Sequence, residues 1–122
     1  MRPSASLAFG AVFWLLHASS ASAQSLTCEV GPLHRAFGGN DWQIYSCGDG
    51  ESLVFVSTPQ SAAHPFYFLL AYESGAMRLI GEGTGSQVAT KAAHDELVQL
   101  SDQDRRTLIE ETKAVSPSQQ ND

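Results

Sequence analysis

The first twenty-three residues most constrain what this chain can fold into, because they read as an export leader and not as part of a domain. Arg2 gives a positive start, residues 7–16 are an unbroken apolar run, and residues 18–23 are a small-residue stretch. That stretch ends in Ala21-Ser22-Ala23, the A-x-A form that a signal peptidase cuts after. Ten apolar residues are too few to cross a bilayer, which takes about 20 in a helix, so a cleaved leader is expected and no membrane anchor after cleavage. Residues 24–122 then remain, and 99 residues suffice for one small domain with a single core. The expected address is the periplasm or the exterior of a bacterial cell.

Cleavage removes Arg2 and leaves six basic side chains against thirteen acidic ones, a net charge of −7. An acidic chain with scattered basic residues repels phosphate backbones and anionic headgroups, which argues against nucleic acid and against electrostatic docking on membranes. The two cysteines, Cys28 and Cys47, are expected to pair in an oxidising compartment. Closing a ring of about 20 residues constrains the unfolded chain by roughly 3 kcal/mol, a large share of a small domain's stability. A metal or nucleophilic role for these thiols lacks the C-x-x-C spacing or second ligand pair it needs.

Along residues 24–122 the pattern is strands first and helices last. Residues 26–30 form a short strand stopped by Gly31-Pro32, and residues 33–41 read as a loop rich in turn formers. Residues 42–47 and 53–57 flank Gly48-Asp49-Gly50-Glu51 as a hairpin. Residues 58–65 are a polar loop. Residues 66–72, the most apolar run of this part, suit a strand buried on both faces. Ser74-Gly75 turns the chain into a fifth strand at 77–80. Ser86 caps a helix over 87–100 with Ala89, Ala93, Leu97 and Leu100 on one stripe. Ser101-Asp102-Gln103-Asp104 opens a second helix, from 102 to about 114, with Leu108, Ile109, Thr112 and Val115 inward and Arg105 and Arg106 outward. Residues 116–122 read as a disordered polar tail. The expected fold is α+β: an antiparallel meander of about five strands, followed by two helices on one sheet face.

Motifs for chemistry are few, and no catalytic residue is assigned. Gly81-Glu82-Gly83-Thr84-Gly85-Ser86 lies between a strand and a helix, where Gly83, Gly85 and Ser86 can cradle an anion. The dinucleotide fingerprint needs Gly at position 86, the phosphate loop needs Gly-Lys-Ser/Thr, and Glu82 repels an anion, so a plain connection is preferred. His34, His64 and His94 are about thirty residues apart, without the helical spacing of a compact metal motif, so no metal and no cofactor is expected. A nucleophile elbow G-x-S-x-G is absent. Asp95-Glu96 and Glu110-Glu111 are helix neighbours that point about 100° apart, so neither pair shares one proton-transfer site without help from other residues. Aromatics remain. Alternation puts Phe66, Phe68, Leu70 and Tyr72 on one face of their strand and Tyr67, Leu69 and Ala71 on the other, and a candidate binding face is assigned to Trp42, Tyr45, Tyr67 and Leu69.

The segment Tyr45-Ser46-Cys47-Gly48-Asp49-Gly50, followed by a β-rich run, resembles the opening of bacterial inhibitors of c-type lysozyme, which are exported β-rich proteins with a disulfide. The resemblance covers about a dozen residues. Those inhibitors continue towards a Ser-Gly-x-Arg-Tyr-like loop and a late Trp-containing strand; this chain ends in two helices, so no inhibitory residue carries over. Three functions are weighed. The first is a non-catalytic, disulfide-stapled exported module that binds another envelope or extracellular protein. The second is a small envelope hydrolase or metal-dependent enzyme that assembles His64, Asp49 or Glu82 through the fold. The third is a secreted inhibitor acting through a loop at 33–41 or 58–65.

Overall fold

Clusters of turn-forming residues close each hairpin of a five-stranded meander. A computed structural model describes residues 26–116; the expected leader at 1–23 and the expected tail beyond Ser116 lie outside the described residues. The strands β1 (Cys28–Phe37), β2 (Asn40–Cys47), β3 (Leu53–Ser57), β4 (Phe66–Glu73) and β5 (Ala76–Gly83) pair in chain order into one antiparallel sheet. The helices α1 (Gln87–Leu97) and α2 (Asp102–Val115) follow. This is the α+β meander expected from the residues.

Two of the turns are two-residue loops. Gly38 and Gly39 take φ of 63° and 80° between the paired residues Phe37 and Asn40, a conformation in which both central residues need positive φ. Ser74 and Gly75 do the same between Glu73 and Ala76. The longer connection from β2 to β3 is organised by Asp49, whose carboxylate accepts hydrogen bonds from the amides of Glu51 and Ser52 and from the Ser52 hydroxyl. Burial works against that charge, but these donors outweigh it and hold the carboxyl below its ordinary range.

Where the sequence predicts a loop at 33–41, the chain stays in the sheet. Gly31-Pro32 is absorbed as a bulge, with register shifts on either side of Val30, and pairing resumes at Leu33 opposite Ile44. A bulge on an edge strand tolerates proline, because the missing N–H leaves no ladder partner unsatisfied. The first helix also ends at Leu97, not at 100, although Leu100 still packs against the core. Ser116, expected in the tail, is buried behind the end of α2.

The core lies between one sheet face and the two helices. Ile44, Phe55 and Phe68 form a cross-strand row, Leu53 and Leu70 a second, and Ala89, Ala93, Leu97, Leu108 and Ile109 close over them. Ser101 and Asp104 form the expected capping box at the start of α2. Thr112 on the buried stripe of α2 meets Ser46 of β2 through a hydroxyl pair at 2.7 Å, and donates to the Ile109 carbonyl. β4 is not buried along both faces: Phe68 and Leu70 are covered, whereas on the side away from the helices Ala71 is buried but Tyr67 and Leu69 keep solvent access.

Arg105 does not face outward. Its side chain is 2 % exposed, beneath α2. Nη1 donates to the carbonyl of Glu51 at 2.9 Å and to its carboxylate at 2.7 Å, Nη2 donates to Asp102, and the guanidinium lies 5.0 Å from the Tyr72 ring centroid. Position explains this better than residue type. Residue 105 is three and four residues before Leu108 and Ile109, on the inward stripe. Arg105 thereby ties α2 to the β2–β3 turn. Arg105→Ala is expected to cost about 2 kcal/mol in urea unfolding, below the 3–5 kcal/mol of a fully buried pair, because Glu51 and Asp102 remain half-solvated. Arg106 pairs with the same Asp102 on the surface, and Arg106→Ala is expected to change stability by under about 0.5 kcal/mol.

Candidate functional site

Helices cover one face of the sheet, and the other face carries two cross-strand rows. Tyr45, Val54, Leu69 and Ile80 lie opposite one another in sequence from β2 to β5, beside Gln43, Val56, Tyr67 and Glu82. Strand alternation places both rows on the side away from Ile44, Phe55 and Phe68. The first row is apolar throughout and half-buried; Tyr67 in the second row is 39 % exposed. Apolar side chains left at this level on a sheet face form a continuous patch of the kind that partners cover.

At the β5 end the second row runs into a groove of about 460 Å³ lined by Val56, His64, Pro65, Tyr67, Glu82 and Thr84. The Tyr67 hydroxyl donates to the Glu82 carboxylate at 3.2 Å; that hydrogen bond, then the carboxylate's charge, raises the phenol above its ordinary range. Ser57 Oγ lies 3.1 Å from His64 Nδ1, which resembles a catalytic dyad in distance. The same oxygen accepts the amide of Phe66 at 3.0 Å, and Ser57 is buried. Glu82 is bonded to Tyr67 and not to His64. The Ser57–His64 contact therefore fastens the 58–65 connection to the end of β3, where Ser57 also holds the first amide of β4.

The other predicted positions are dispersed. Tyr45, Tyr67 and Leu69 share the uncovered face, but Trp42 points to the opposite side and is fully buried; its indole N–H donates to the Phe37 carbonyl at 3.2 Å. A strand's odd and even positions face opposite ways, so Trp42 and Tyr45 cannot serve one surface. Gly83, Gly85 and Ser86 do not form an anion cradle. The amides of Thr84 and Gly85 donate to the Pro65 carbonyl and that of Ser86 to the Ala62 carbonyl, so these donors are spent on the neighbouring loop. A Cβ at Gly85 would lie 1.7 Å from the Ala63 oxygen, so glycine here serves close packing of two connections. The Ser86 hydroxyl caps α1 by accepting the Ala89 amide.

His64 and Glu82 both line the groove, but Asp49 sits in the turn at the opposite end of β3, a strand's length away. His34 is on β1 and His94 on α1. Among the described residues no group of three or more His, Cys, Asp or Glu side chains is placed to hold a metal ion. The 33–41 segment is a strand pair, and 58–65 is pinned by internal turns. Gln43, Val54, Val56 and Ile80 were absent from the predicted face. The period-2 pattern in β3 and β5 signals them, once hairpin register is applied to align the strands.

Cys28 and Cys47 form the expected disulfide, joining the start of β1 to the end of β2 at a register pair, which is consistent with an oxidising compartment. No family model, curated protein or solved structure matches the chain.

Proposed function

We propose that this chain is a periplasmic or secreted, non-catalytic module that binds another envelope or extracellular protein through the uncovered face of its sheet. The apolar row Tyr45, Val54, Leu69 and Ile80 carries the reading, because it spans four strands and has no covering layer among the described residues. Tyr67 and Tyr45 supply rigid amphipathic rings of the type enriched at interface centres, and the polar ends of Gln43 and Glu82 edge the patch. The disulfide and the leader-like first residues support an extracytoplasmic address.

Capture of cross-linked envelope proteins tests the reading. Leu69→Lys puts a charge in the middle of the apolar row at a half-exposed position and is expected to weaken partner capture by at least about tenfold with the fold retained. Val88→Lys on the exposed side of α1, 83 % exposed, is expected to leave capture unchanged. Equal loss in both variants, or no specific partner for the parent protein, rules the proposal out.

A further inference from the structure

We propose that β5 pairs with β5 of a second copy, antiparallel about a two-fold axis at Ile80, which joins two sheets into one of ten strands. The inference concerns the edge of the sheet, and stands whether or not the uncovered face binds a different protein.

The two edges of the sheet are treated differently. β1 is broken by the bulge at 30–33 and contains Pro32, devices that discourage pairing with another chain. β5 has neither: its eight residues pair with β4 without a register shift, from Phe66 opposite Gly83 to Glu73 opposite Ala76. Beyond β5 the sheet order ends, so its outer backbone groups have no strand partner among the described residues.

Charge spacing then selects the partner. Arg78 and Glu82 are each two residues from Ile80, so alternation puts all three on the uncovered face. In an antiparallel pair centred on Ile80, Arg78 of each copy faces Glu82 of the other, giving two opposite-charge cross-strand pairs. Centring on Arg78 or on Glu82 instead sets like charges against each other. Centring on Leu79 or Gly81 leaves both charges unmatched. A centre between residues would place uncovered-face side chains opposite helix-face ones, which a two-fold perpendicular to the sheet does not allow. One register out of these is complementary, and it also extends the row Tyr45, Val54, Leu69 and Ile80 without interruption into the second copy. Within one copy Arg78 pairs with Glu73 at 3.1 Å, with both side chains mostly exposed, an arrangement weak enough to be exchanged.

Sedimentation equilibrium of the purified processed protein over micromolar to millimolar concentrations is the test, with circular dichroism to confirm folding. The parent protein is expected to show a monomer–dimer equilibrium. Arg78→Glu and Glu82→Arg, both at exposed positions, are each expected to raise the dimer dissociation constant by about tenfold or more, and the combined exchange to restore it to within a few-fold. In the parent protein alone, amide protection of residues 76–83 is expected to rise with concentration. A monomer at every concentration overturns the proposal. So does association that ignores the single substitutions, a combined variant that fails to recover, or β5 amides whose exchange is independent of concentration.

Discussion

Trp42→Ala is expected to destabilise the protein by about 3–5 kcal/mol, the largest effect of any single truncation here. Trp42 has no solvent exposure, and its ring centroid lies 5.4 Å from that of Phe68, in the layer beneath the helices. Truncation removes the indole from this layer and leaves a cavity that the paired strands on either side cannot close. It also removes the donor to the Phe37 carbonyl near the β1–β2 turn. For a domain of this size each kcal/mol shifts the thermal midpoint by roughly 4–8 °C, so a fall of more than about 12 °C is expected in calorimetry. Any partner binding would then decline only in step with the unfolded fraction. A loss below about 1 kcal/mol would contradict the placement of this indole in the core.

The second large effect is expected from removing the disulfide. Cys28→Ser with Cys47→Ser should cost about 3 kcal/mol, the value for releasing a ring of this length in the unfolded chain. The loss should also be uneven along the strand. The bridge lies outside the bulge at 30–33, where the β1–β2 ladder is interrupted, and beyond it the nearest register pair is Val30 with Ser46. Without the bridge, amides of residues 28–30 should exchange well before those of residues 33–37, because the latter are held by an uninterrupted ladder to β2. Hydrogen exchange with and without a reductant measures this. Uniform acceleration across β1 would show that the bulge does not divide the strand.

Much of the architecture is legible along the chain. Asp49-Gly50 and Ser74-Gly75 punctuate strands whose β-branched and aromatic content is high, and Ser101 with Asp104 marks the start of α2. The disulfide follows from two cysteines and an export pattern. Misreadings occur where a local signal competes with a distant contact. Gly31-Pro32 looks like a terminator, yet β2 supplies enough ladder beyond it for β1 to resume. Arg105 looks like a surface residue by type, yet Glu51 and Asp102 neutralise it and Tyr72 stacks against it. Gly83, Gly85 and Ser86 leave an anion loop open as the lesser alternative to a plain connection, and the carbonyls of Ala62 and Pro65 take the amides of residues 84–86. Each of these outcomes depends on residues brought close only by folding.

From its own residues the chain specified the order of strands and helices, the turns between them, the inward stripes of both helices and the pairing of its two sulfurs. The elements and turns rest on periodicity and local backbone preference, which act over a few residues, and the sulfur pairing rests on there being two cysteines in a chain with an export pattern; all are therefore written in the chain. Tertiary structure alone decided which face of each strand is covered, and so separated Trp42 from Tyr45, Tyr67 and Leu69. It also brought Glu51 and Tyr72 to Arg105, whose place on the inward stripe the helical spacing already allows, and decided that β5, not β1, is the unguarded edge. Alternation defines two faces for a strand but carries no label for the one that meets the helices; that choice is made by the summed packing of distant segments.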